Sequence, residues 1–257
     1  MIRGLYTAAS GMIARQAQMD NVTNNLANAN TPGYKLQNMN FKSFDEAVIF
    51  NMDKKVGSAN FKNVLGSIEM GVAIDQTNTD FTQGILQDSD RNLDFALNGD
   101  GFFTVEAPDG TERYTRAGRF LLTADGRLVT PSGYSVLGID ENGNKVPIVL
   151  DDQSIKLEPD GSFVSGNNKY RFAISQFQNI NTLERNADNM YINRGNENPV
   201  LTQNTEVKQY SLESSNVDII KTITDMISIM RSYETNQKVI QYIDDTLDKS
   251  VNQVGKV

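Results

Sequence analysis

Asn21, Asn24, Asn25 and Asn28 recur at i, i+3, i+4 and i+7 in the stretch DNVTNNLANANTPGYK, residues 20–35. On a helix that spacing sets four amides on one face, with Val22 and Leu26 turned away. Each amide both donates and accepts, so such a face can hydrogen-bond to a second helix without burying charge. The same residues also describe a polar, solvated helix end, because Asn competes with the helix for backbone groups. Solvated faces, however, normally use Glu and Lys. Residues 1–35 carry only four charged side chains, Arg3, Arg15, Asp20 and Lys35. That shortage favours burial between helices, and the chemistry it offers is recognition.

Other candidates for chemistry are weaker. Asp140, Asn142 and Asn144 alternate like the start of a calcium loop. The loop glycine would then fall at Lys145 and the twelfth position at Asp151, which fits a plain hairpin turn at Asn142-Gly143 better. Asn21-Val22-Thr23 matches a glycosylation sequon but lies within the helical pattern. Asp151-Asp152 and Asp244-Asp245 are adjacent carboxylates, and nothing in the sequence sets two of them across a cleft. The chain has no His and no Cys. That removes the commonest general base, every thiolate site and the usual zinc ligands. We therefore expect no catalytic residue, no metal and no cofactor.

The elements that must position the asparagines lie at the two ends of the chain. Ile2, Leu5, Ala9, Met12, Met19, Val22 and Leu26 follow steps mostly of three and four, and Thr31-Pro32-Gly33 stops the helix. Gly4, Ala8 and Gly11 share a second face, small enough to let another helix approach closely. Two interior glycines weaken an isolated helix, so this segment is expected to be ordered by assembly. No Gly or Pro occurs between Val200 and Val254. Ile223, Met226, Met230, Tyr233, Ile240, Leu247, Val251 and Val254 follow a heptad rhythm there, with Gln237 and Asp244 at the remaining seam positions.

Between the ends, Gly turns recur at Asp100-Gly101, Asp109-Gly110, Asp125-Gly126, Ser132-Gly133, Asn142-Gly143 and Asp160-Gly161. Short apolar runs such as FFTV, RFLLT and YSVLGI separate them, the pattern of an all-β domain. Residues 36–90 are mixed, with a possible short helix at FKSFDEAVIF and extended segments after it. The expected fold is α+β, with N- and C-terminal helices packed as a coiled coil around an inserted all-β domain. Residues 1–35 with 211–257 would form a discontinuous helical assembly domain, 36–90 an extended connector and 91–210 the β-rich domain.

A length of 257 residues permits one large or two modest domains, and a net charge of −8 argues against nucleic acid as a partner. No run of eighteen apolar residues exists to span a membrane. The N-terminus lacks the apolar stretch of a cleavable signal peptide.

The stretches GLYTAASGMIARQAQMDNVTNNLANANTPGYK, LDFALNGDGFFTVEAPDGTERYTRAGRF and LESSNVDIIKTITDMISIMRSYETNQKVI resemble, in order, the signatures of the bacterial flagellar rod and hook axial proteins. The APDGTERYTR stretch and the length are most similar to distal rod members, with proximal rod members next. The resemblance implies a structural subunit of the flagellar basal body. It would polymerise helically with copies of itself and adjoin other rod and hook proteins. It would leave the cell through the flagellar type III export apparatus without a cleavable signal, to an extracytoplasmic site. Terminal helices would line an inner tube, with β domains outside. The expected assembly interface is Gly4, Leu5, Ala8, Gly11, Met12, Asn21, Asn24, Asn25, Leu26 and Asn28, with Ile223, Met226, Met230, Tyr233, Ile240 and Leu247. In detail, the asparagine and small-residue faces should meet other subunits, and the apolar stripe should meet the C-terminal helix. Two other classes stay open from the residues alone. One is an extracellular glycan- or peptide-binding module, which should expose an aromatic cluster. The other is a carboxylate-based hydrolase, which needs two carboxylates in a groove.

Overall fold

The computed structural model describes residues 2–44, 46–56, 59–140, 143–150, 155–158, 161–165, 168–195, 198–202 and 205–254. The chain divides into two compact units, one from residues 1–26, 37–78 and 219–257 and the other from 27–36 and 79–218. The fold class is α+β, with a helix near each end of the chain and a large β-rich unit between them in sequence.

The first unit holds both long helices, α1 over Ile2–Ala27 and α2 over Ile219–Lys249. α1 ends where the sequence predicts, just before the Thr31-Pro32-Gly33 stop. It buries Ala8, Ala14 and Asn25, half-buries Leu5, Met12, Met19, Val22 and Leu26, and leaves Tyr6 and Ile13 exposed.

The short helix expected within 41–50 does not form. Strands Gln37–Ser43 and Ala47–Val56 occupy that stretch instead. Met39 and Phe41 alternate with polar residues, and Val48 and Ile49 are β-branched, so local pattern and propensity both favour extended chain. The first strand pairs with Val72–Thr79, and the second pairs antiparallel with Ala59–Ile68.

The second unit is built on a twelve-stranded sheet. Its main path runs through Ser162–Ser165, Asn168–Phe172, Ser135–Ile139, Phe102–Glu106, Glu112–Thr115, Tyr191–Asn193 and Leu183–Arg185. The glycine turns fall where the sequence predicts. Gly110, Gly126, Gly133, Gly143 and Gly161 each donate from N–H to the carbonyl three residues back. Asp140 and Asn144 close one of these turns through Asp140 N–H to the Asn144 carbonyl, 3.0 Å, as expected of a hairpin and not a cation loop. Asn142 and Asp160 lie outside the described residues.

Aromatic rings fill this unit. Phe95, Phe103, Phe120, Phe163 and Phe172 are fully or almost fully buried in one cluster. Phe103 meets Phe120 edge-on at 5.3 Å between centroids and Phe172 at 5.5 Å. A second cluster gathers Phe102, Tyr114, Phe177, Leu183 and Tyr191.

Candidate functional site

Two arrangements stand out, one in each unit. The first is an ion triad buried in the β unit. Gly33 takes φ +70°, which lets the chain turn sharply after α1. Its N–H donates to the Glu213 carbonyl at 2.8 Å. Tyr34 is fully buried, with the Arg185 guanidinium 4.3 Å over its ring. Lys35 then turns inward. Its Nζ lies 2.5 Å from Glu213 Oε1 and donates to the Thr82 carbonyl at 2.7 Å. The other carboxylate oxygen, Oε2, lies 3.3 Å from Arg116 Nη1. The Lys35 and Glu213 side chains are both 0% exposed.

Additional hydrogen bonds complete the arrangement. Gly84 N–H donates to Glu213 Oε1 at 3.0 Å, and Arg116 Nη2 donates to the Gly99 carbonyl at 2.8 Å. Asn216 accepts from Leu36 N–H and donates to the Asp80 carbonyl. Loss of water holds the Lys35 amine below its ordinary range, with Glu213 pulling the other way. Burial lowers Arg116 in the same manner. Two cations thus share one carboxylate, so Glu213 carries the charge balance of the site.

The second arrangement is the pair of helices in the first unit. An ideal Cβ on Gly4 would stand 3.5 Å from Ile243 Cδ1, and one on Gly11 would stand 3.0 Å from Asn236 Nδ2. Seven residues forward on α1 correspond to seven residues back on α2, so at these points the helices run antiparallel. The sequence reading turns the Gly4–Ala8–Gly11 face towards other subunits. Within the chain that face looks onto α2, because only small residues admit Asn236 at that distance.

Asn25 likewise finds its partners inside the chain. It is 2% exposed. Its Nδ2 donates to the Gln37 carbonyl at 2.8 Å, and its Oδ1 accepts from Gln37 N–H at 3.1 Å. The side-chain amide therefore pairs with both backbone groups of Gln37 as a strand would. Asn21 Oδ1 accepts a further bond from Asn25 Nδ2. Asn24 is exposed, and Asn21 and Asn28 are half-buried, so the four amides do not form one uniform buried face. Asn25→Leu should lower the stability of the α1–Gln37 junction by about 1–3 kcal/mol, because two part-buried backbone groups lose their partner. Amide exchange at Gln37 measures this, and unchanged protection there would contradict the assignment.

On α2 the inward series is Thr222, Met226, Ile229, Tyr233, Asn236, Ile240, Ile243 and Leu247, all buried or half-buried. The sequence reading places Ile223, Met230, Gln237 and Asp244 in that seam, and all four are exposed. Met226, Tyr233, Ile240 and Leu247 are common to both. The other seam position lies one residue earlier than expected, which keeps Gln237 and the Asp244 charge out of the interface. Val251 is exposed.

Among the described residues no group of three or more Asp or Glu could hold a metal ion, and no helix is long and apolar enough to cross a membrane.

Sequence reasoning does not join Lys35, Arg116 and Glu213. Each lies in a stretch that matches a known family model. Residues 5–35 match the model described as flagella basal body rod protein. Residues 96–165 match the flagellar hook protein FlgE/F/G D1 domain, and residues 208–254 the flagellar basal body rod FlgEFG protein C-terminal region. The triad thus ties together one residue from each matched segment. Among whole-chain relatives, the flagellar basal-body rod protein FlgG of Bacillus subtilis is 34% identical over 268 residues, covering 98% of this chain and 99% of its own. The flagellar hook-basal body complex protein FlhO of the same organism is 32% identical, with all of both chains covered. The flagellar basal-body rod protein FlgF of Caulobacter vibrioides is 32% identical over 258 residues, again with all of both covered. Matched in all three segments and aligned from end to end with these relatives, the chain belongs to the family of flagellar basal-body rod and hook proteins.

Proposed function

We propose that this structural protein of the flagellar basal body polymerises helically into the axial drive shaft, with α1 and α2 packed as an antiparallel coiled coil. One observation carries the reading. α2 has a second apolar stripe, Ile220, Ile223, Ile227 and Met230, spaced 3-4-3 and exposed at 80%, 42%, 47% and 48%. Such a stripe, beside a groove lined by Thr224, Ser228, Arg231 and Thr235, fits another helix better than water. Exposed Tyr6 and Ile13 on α1 and exposed Val48, Phe50, Val64 and Leu65 on the strand pair support the same conclusion. The natural occupants are further copies of the chain and neighbouring rod and hook proteins.

We assign it to the distal rod, on the resemblance of its APDGTERYTR stretch and its length. The proximal rod is the alternative, since relatives named FlgG and FlgF align at 34% and 32% identity. Delivery by the flagellar export apparatus belongs to this proposal, as does the absence of a catalytic site of its own.

The test is Ile223→Asp and Ile227→Asp, each expressed in the native bacterium in place of the wild-type chain. Each places a charge on the outer stripe of every subunit, where burial would be prohibitive. Both variants should keep the β unit folded and be exported, yet fail to complete rods and give non-motile cells. Wild-type motility in both would overturn the proposal.

A further inference from the structure

The segment between α1 and the first strand has an unusual set of partners. Gly33 N–H bonds to the Glu213 carbonyl, Lys35 to Glu213 Oε1 and the Thr82 carbonyl, and Leu36 N–H to Asn216 Oδ1. The Leu36 carbonyl accepts from Asp80 N–H at 2.8 Å, and Tyr34 lies beneath Arg185. All of these partners belong to the β unit, as do residues 27–36 themselves. Glu213, Asn216 and the buried Val217 lie in the segment leading into α2, which begins at Ile219. The chain leaving one helix and the chain entering the other are therefore joined at a single buried point.

We propose that residues 27–36 form a root clasp. They fold as part of the β unit whether or not α1 is helical, so a chain with unformed terminal helices already holds both helix roots together. The chemistry differs between clasp and helix. The clasp is held by a buried carboxylate shared between two cations and by backbone pairing, with water excluded. α1 contains two interior glycines and three asparagines with little intrinsic helix preference, so an isolated α1 is marginal. The clasp fixes the C-terminal end of α1, and helix formation then propagates from a set root instead of needing a free nucleus. Polymerisation is not required for this device, and its failure would leave the clasp standing.

Amide hydrogen exchange on the full-length chain, kept dilute and verified as monomeric, tests the clasp. In the wild type, the Gly33, Tyr34 and Leu36 amides should exchange at least ~100-fold more slowly than those of residues 5–20. Glu213→Gln should raise exchange at Gly33 and Leu36 at least ~10-fold more than at Phe103 to Val105. Lys35→Met, which leaves Glu213 and Arg116 as a balanced pair, should raise it at least ~3-fold. If Glu213→Gln unfolds the whole β unit, Lys35→Met decides the matter on its own. Clasp amides that exchange with α1 in the wild type would overturn the proposal, as would wild-type protection in Lys35→Met.

Discussion

Glu213→Gln is expected to lower the stability of the β unit by about 3–5 kcal/mol, the cost of leaving buried charge without its counter-ion. The shape is preserved, so the loss is electrostatic. Lys35 and Arg116 remain on either side, both buried, with a neutral amide between them. The amide oxygen can still accept from Gly84, but its NH2 group points donors at a cation. Lys35→Met should cost less than half as much, because the remaining carboxylate and guanidinium still balance and the methionine fills an apolar volume. Denaturant unfolding of each chain, followed by the near-ultraviolet signal of the aromatic core, gives both numbers. Equal losses for the two variants would show that Glu213 does not hold the balance.

Gly33→Ala should cost about 2–4 kcal/mol, combining a left-handed backbone with an overpacked contact. A Cβ at this position would stand 2.5 Å from Arg116 C and closer still to Ala117 N, and those are backbone atoms that cannot swing aside. Gly133 provides the control. It has φ +86°, and a Cβ there would meet nothing within 4 Å. Gly133→Ala should therefore cost only about 1 kcal/mol, the backbone share alone. The difference isolates the close approach of the Gly33 turn to the Arg116 strand end. Matching losses in the two variants would mean that the turn can withdraw from that strand, and the clasp would be looser than its geometry implies.

The two helices, the glycine turns and the short apolar strands are legible in the sequence because each depends on local pattern. Gly110, Gly126 and Gly133 sit in turns that residue type alone dictates. The seam of α2 is legible only in part. Its first half has two apolar faces, one through Met226, Ile229 and Tyr233 and one through Ile223, Ile227 and Met230. Hydrophobicity does not choose between them. The choice follows the small residues of α1, where Gly4 faces Ile243 and Gly11 faces Asn236, and the cost of turning Asp244 inward. Asn25 is recognisable as a buried amide, but its partner is the Gln37 backbone twelve residues on, a contact no helical spacing encodes. The triad is the least legible feature. Lys35 and Glu213 are 178 positions apart, and nothing in the residue types says that two charges at the ends of separate motifs will meet. The strands at 37–56 are legible in Met39 and Phe41, which alternate with polar residues, and in β-branched Val48 and Ile49, a pattern that the expected short helix overlooks.

Assembly of this chain turns, in the proposal, on the outer stripe of α2 as a surface that further copies cover. Electron microscopy of the purified full-length chain, brought to high concentration beside Ile227→Asp at the same concentration, measures this directly. The wild type should form filaments or tubes of regular width, and the variant should remain monomeric with its β unit folded. Wild-type chains that stay monomeric at the highest soluble concentration, or variant chains that form the same filaments, would contradict it.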